Sequence, residues 1–141
     1  MRGNFGEAKH KNHIDTHNAG NSTEKIADIY GISGLITTIS TACSSAANAI
    51  MLGARLIKTG QLERVVVGGT DCLSKFTING FKTLMILSDT YNTPFDENRK
   101  GLNLGEAAAF LVLESDEIVA KKNKKVLCIN KKRLNLHLKI S

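Results

Sequence analysis

A stretch that is apolar almost all the way round, residues 44–59, lies between two short β-branched runs and most limits what this chain can become. Ala46, Ala47, Ala49, Ile50, Met51, Leu52, Ala54, Leu56 and Ile57 leave little room for a solvated face, which predicts a helix buried on most sides. Lys58 and Gly60 supply a basic last turn and a left-handed stop. Before the helix, residues 35–40 (LITTIS) follow Gly34 and read as a strand. After it, residues 62–67 carry Val65-Val66-Val67 and read as a second strand ended by Gly68-Gly69. Residues 76–87 read as a helix, residues 92–100 (NTPFDENRK) as a turn-rich loop around the single proline, and residues 107–114 (AAAFLVLE) as a third strand. A short helix opens earlier at Ser22-Thr23-Glu24, with Ile26, Ala27, Ile29 and Tyr30 as its apolar face and Gly31 as its stop. Helices alternating with strands predict an α/β chain in α-β-α layers. Crossover connections would then give a mixed sheet flanking a buried helix.

Function classes narrow next. At 141 residues, with 42% hydrophobic and 5% aromatic side chains, the chain suits one globular domain and not a disordered segment. No run approaches the roughly 20 apolar residues of a membrane helix, and the first fifteen residues lack a signal-peptide core, so no membrane association is expected. Cys43, Cys72 and Cys128 form neither a C-x-x-C pair nor an even framework, which fits a reducing, cytoplasmic location. The net charge of +6 is unevenly placed. Residues 118–141 hold eight Lys or Arg and no acid, which leaves 11 basic against 13 acidic in residues 1–117, a net −2. That tail also lacks the aromatic interleaving of single-strand binders, so no nucleic-acid partner is expected. Three segments follow: a polar N-terminal stretch at 1–22, the patterned body at 23–117, and a basic tail at 118–141. The tail reads either as a weak edge strand or as sequence outside the fold.

Cys43 carries the chemistry. It lies at a strand-to-helix turn, where unpaired backbone N–H groups and the helix dipole favour negative charge. Such a place favours the thiolate, the nucleophilic form, and makes Cys43 the expected first of the three cysteines to react. The same N–H groups suit an oxyanion formed when a thiolate attacks a carbonyl. Ala42, Ser44 and Ser45 are small enough to let a substrate approach. A buried, inert thiol in the same position stays an open alternative. His10, His13, Asp15 and His17 offer a metal-ligand set without a firm frame, so no metal and no cofactor is expected. Asp71 and Asp96 read as turn or cap carboxylates rather than catalytic acids, and Arg99 with Glu106 as a structural ion pair.

T-A-C-S-S at 41–45, V-G-G-T-D at 67–71 and P-F-D-E-N-R-K-G-L-N-L-G-E-A at 94–107 follow one another in an order that resembles the β-ketoacyl-acyl-carrier-protein synthases of the thiolase superfamily. The resemblance implies a thiolase-like fold, present here as an internal fragment of the N-terminal half. It also implies that Cys43 is the acyl-accepting nucleophile, with its own backbone N–H as an oxyanion donor. An acyl carrier protein is implied as thioester donor, with decarboxylative condensation of a malonyl unit in fatty-acid or polyketide synthesis. A homodimer is implied through the strand from Leu35 to Thr41. The family's two histidines and lysine, which handle the malonyl group, come from a second half. After Glu114 this chain offers only His137. The family's G-E-G-A-G is here Gly105-Glu106-Ala107-Ala108-Ala109. Two alternatives remain: a non-catalytic remnant or dimerisation partner, and a thiolase-like enzyme acting on coenzyme A esters. The P-F-D stretch weighs against the second of these.

Overall fold

A computed structural model of the protein describes residues 18–123, 125, 126, 128–130 and 136–139. They form two compact units, the first ending at Ala49 and the second beginning at Ile50.

In the first unit, helix α1 (Ala19–Ile29) starts three residues before the predicted Ser22, because the side chain of Asn18 accepts from Gly20 N at 3.2 Å and caps the earlier turn. It stops where Gly31 takes φ 60°. There Gly31 N donates to Asp28 O (3.2 Å) and Ile32 N to Ala27 O (2.8 Å), a left-handed cap that glycine adopts at little cost. The strand expected at 35–40 is not formed. These residues find no ladder partner among the described residues, and Leu35 and Ile36 stand exposed. β-branched side chains favour an extended backbone, but only a neighbouring strand makes it a sheet. One tie is a hydrogen bond between the hydroxyls of Thr23 and Thr38, 2.7 Å apart.

Helix α2 (Ser45–Lys58) begins in the first unit and continues into the second. It is not buried on most sides. Gly53, Ala54 and Ile57 form one buried stripe, while Ala46, Ala47 and Met51 are exposed. Alanine abundance shows that a helix is able to pack closely, not that every face has a partner here. Gly60 (φ 70°) closes it as predicted, with Gly60 N on Ile57 O (2.9 Å) and Gln61 N on Leu56 O (3.0 Å).

Strand β1 (Arg64–Asp71) pairs antiparallel with β2 (Ala107–Ser115), in register from Arg64 opposite Glu114 to Asp71 opposite Ala107. Gly68 and Gly69 therefore lie inside β1 and do not end it. Gly68 sits so close to β2 that side chains are excluded there. Between the strands, helix α3 (Lys75–Thr83) is capped by Ser74, whose Oγ accepts from Thr77 N at 3.0 Å. It ends four residues before the predicted Leu87, with Met85 already left-handed (φ 54°). A loop follows, pinned by Asn103. Its Nδ2 donates to Ser88 O (3.3 Å) and Thr90 O (3.1 Å), and its Oδ1 accepts from Asn92 N (2.6 Å).

The basic segment contributes regular structure: helix α4 (Asp116–Lys121), β3 (Cys128–Asn130) and β4 (Leu136–Lys139). β4 pairs with Val112 to Ser115 of β2, and β3 with β4, giving the order β1-β2-β4-β3. All three ladders are antiparallel, where crossover connections suggested a mixed sheet. Alternating helices and strands do not fix direction, because a long connection can return the chain either way. The core joins Ala54, Ile57, Val67 and Leu113, flanked by Ile50, Leu62, Val65 and Leu111. Beside it Glu114, 1% exposed, is paired with Arg64. No described helix is long and apolar enough to cross a membrane.

Glu117 in the first turn of α4 has its carboxyl held below the usual glutamate range, first by its own backbone N–H and then by the Ser115 hydroxyl. A depressed folded-state value adds stability that is fully present above the unfolded-state value. That stability is lost as pH falls through the folded one. An NMR titration should therefore place the Glu117 midpoint below that of an unstructured glutamate. In Glu117→Gln, α4 should lose that part of its acid sensitivity. A midpoint at or above the ordinary value would contradict this.

Candidate active site

The turn that leads into α2 presents Cys43 to solvent. The thiol is therefore not buried, as the alternative reading had it. Its neighbour Ala42 has φ 53°, the left-handed region that costs an L-residue roughly 1–2 kcal/mol. The turn is therefore held against its own preference. Ser44 N donates to Thr41 O (3.3 Å) and Ser45 N to Ala42 O (3.1 Å), two short-range bonds that curl the chain into the helix. The Ser44 hydroxyl reaches back to Thr41 O (2.8 Å) and the Ser45 hydroxyl to Ala42 O (2.7 Å), while Ser45 Oγ accepts from Thr41 N at 2.8 Å. Asn48 Nδ2 donates to Thr41 Oγ1 at 2.8 Å. Backbone bridging also ties Thr41 to Cys43 within the turn.

Sequence reasoning placed Cys43 at the turn and named Ser44 and Ser45 only as small residues. They are also the clamps. Asn48 was not singled out, although a polar residue four positions beyond Ser44 in an alanine run was a visible signal.

The other candidates lie in the second unit and serve the loops. Asp96 Oδ1 accepts from Asn98 N at 2.7 Å, the turn role expected of it. Asp71 is the exposed last residue of β1. The Arg99–Glu106 ion pair is not formed. Arg99 Nη1 donates to Asp96 O (3.0 Å), and Glu106 Oε2 accepts from Leu73 N (3.1 Å), so each side chain is used by nearer backbone. Ala107 and Ala109, where the resembled pattern has glycine, lie exposed in β2 opposite Asp71 and Gly69. His10, His13, Asp15 and His17 lie outside the described residues, within which no group of His, Cys, Asp and Glu is placed to hold a metal.

Residues 10–118 match the family model of the β-ketoacyl synthase N-terminal domain. The chain belongs to the β-ketoacyl synthase family. The ketoacyl synthase alpha subunit of the tetracenomycin polyketide synthase of Streptomyces glaucescens is 37% identical over 91 residues, 60% of this chain and 21% of that protein. Two solved structures share the fold. One is a ketosynthase, ApeO, in complex with its chain length factor ApeC from Xenorhabdus doucetiae. It is 42% identical with a TM-score of 0.63, over 67% of this chain and 24% of that one. The other is a β-ketoacyl synthase from Burkholderia phymatum, 30% identical with a TM-score of 0.70, over 75% and 28%. The chain thus has the α/β, thiolase-like fold of ketosynthases and spans only about a quarter of the length of these relatives. It is a ketosynthase-type domain of the fatty-acid and polyketide synthesis family.

Proposed function

We propose that this chain carries the acyl-accepting half-site of a β-ketoacyl synthase, with Cys43 as nucleophile. The observation that carries the reading is the exposed thiol on a clamped, left-handed turn at a helix start. The Cys43 sulfur attacks the carbonyl of an acyl thioester borne by an acyl carrier protein. The negative oxygen that forms takes a hydrogen bond from Cys43 N–H. Collapse expels the carrier thiolate and leaves the acyl group on sulfur. In the condensation that follows, a malonyl-carrier protein loses carbon dioxide, and the resulting carbanion attacks the Cys43 thioester. The product is a β-ketoacyl-carrier protein, and the Cys43 thiolate is restored. No cofactor enters either step. The run 35–41, β-branched and without a ladder partner among the described residues, suits pairing with a second copy across a two-fold axis.

The test is to incubate the chain with an acyl-carrier protein and locate the added mass by peptide mass spectrometry. Acyl on Cys43, absent in Cys43→Ala, is the expected result. Acyl on Cys72, or equal labelling of Cys43→Ala, would overturn the reading.

A further inference from the structure

We propose that Asn48 is a positioning residue for the nucleophile. By holding Thr41 it fixes the direction in which the turn presents Cys43. The inference rests on the reading of Cys43 as acyl acceptor, itself supported independently by the family match across residues 10–118.

Thr41 is gripped on every polar atom. Its N–H is taken by Ser45 Oγ (2.8 Å), its carbonyl by Ser44 Oγ (2.8 Å) and Ser44 N (3.3 Å), and its hydroxyl by Asn48 Nδ2 (2.8 Å) and Ser44 Oγ (3.1 Å). Cys43, two residues on, is joined to Thr41 by a backbone bridge and leaves its thiol exposed. Between them sits the left-handed Ala42, a conformation that persists only where its surroundings impose it. The serine clamps come from within the turn and from the first helical residue, so they can shift as the turn relaxes. Asn48 reaches back seven residues from a position one turn into α2 and also lies 3.4 Å from Ser44 Oγ. It refers the turn to the helix. Asparagine is a poor helix former beside the alanines around it, so Asn48 gives the helix less than alanine would and supplies a directed N–H instead.

Propensity and positioning therefore pull in opposite directions, and this separates them experimentally. In the full chain, Cys43 and the exposed Cys72 are alkylated by a limiting neutral reagent and quantified by peptide mass spectrometry, at neutral pH and again at a pH that ionises both thiols. Asn48→Ala should lower the Cys43-to-Cys72 rate ratio about threefold to tenfold at both pH values, the scale of one net hydrogen bond, while leaving the helix at least as stable. Thr41→Val should lower it similarly. The double variant should fall by less than the two single losses combined, because both remove the Asn48–Thr41 bond. An unchanged ratio in Asn48→Ala, additive losses in the double variant, or a fall in helix content that tracks the ratio would overturn the proposal. If the ratio behaves as expected while Cys43 accepts no acyl group, positioning stands and the acyl reading fails. If acyl transfer proceeds with the ratio unmoved, the reverse holds.

Discussion

Given both acyl-carrier protein and malonyl-carrier protein, the 141-residue chain is expected to form acyl-Cys43 slowly and to release no β-ketoacyl product. Decarboxylation and enolate stabilisation require groups that take charge from the malonyl carboxylate and carbonyl. The family resemblance assigns those to two histidines and a lysine of a second half, and the match here is to the N-terminal domain. The first half-reaction should be slow as well. The resemblance assigns one oxyanion donor to the Cys43 N–H and draws the second from that other half. Loss of one such donor typically costs about 10²–10³ in rate. Product and acyl-enzyme should be measured separately, by chromatography of the carrier-bound acids and by mass of the Cys43 peptide. Sustained product formation that disappears in Cys43→Ala would refute this and show that the chain catalyses the whole reaction.

The contrast between Cys43 and the run before it shows what the sequence makes legible. A cysteine followed by small residues and a long helical pattern locates a turn, because helix starts are written in local composition. The left-handed Ala42 was not readable, since it arises from the joint action of Thr41, Ser44, Ser45 and Asn48 and from no one of them. Residues 35–40 failed as a strand for the opposite reason. Their preference is local, but a strand is a relation between two segments, and among the described residues no second segment forms a ladder with them. The β1–β2 ladder was legible as two apolar runs, yet its antiparallel direction was not, because direction is set by the path of a 35-residue connection (residues 72–106). The basic segment misled through its charge. Net charge does not prevent backbone pairing, so β4 lies between β2 and β3 and joins β2 despite its weak alternation.

Gly68→Ala is expected to destabilise the chain strongly, on the order of 3 kcal/mol, through a single added carbon. A Cβ at position 68 would lie 2.2 Å from Ala109 O, 2.6 Å from Phe110 Cδ1 and 2.8 Å from Phe110 Cα. Two of these three atoms are backbone of the paired strand. Relief therefore requires β2 to move away from β1, next to the core contact between Val67 and Leu113. Gly53 is crowded in another way. A Cβ there would meet Val67 Cγ1 at 2.6 Å, Val65 Cγ1 at 3.0 Å and Leu113 Cδ1 at 3.4 Å, all side-chain atoms rather than backbone. Gly53→Ala should thus cost less than Gly68→Ala, since rotamer adjustments and a gain in helix propensity offset part of the clash. Gly80 in α3 has nothing within 4 Å of its added carbon, so Gly80→Ala should stabilise by about 0.5–1 kcal/mol. Urea unfolding of the three variants beside the parent chain reads this ranking directly. Gly68→Ala unfolding at the same urea concentration as Gly80→Ala would mean that β1 and β2 are not packed at the distance described.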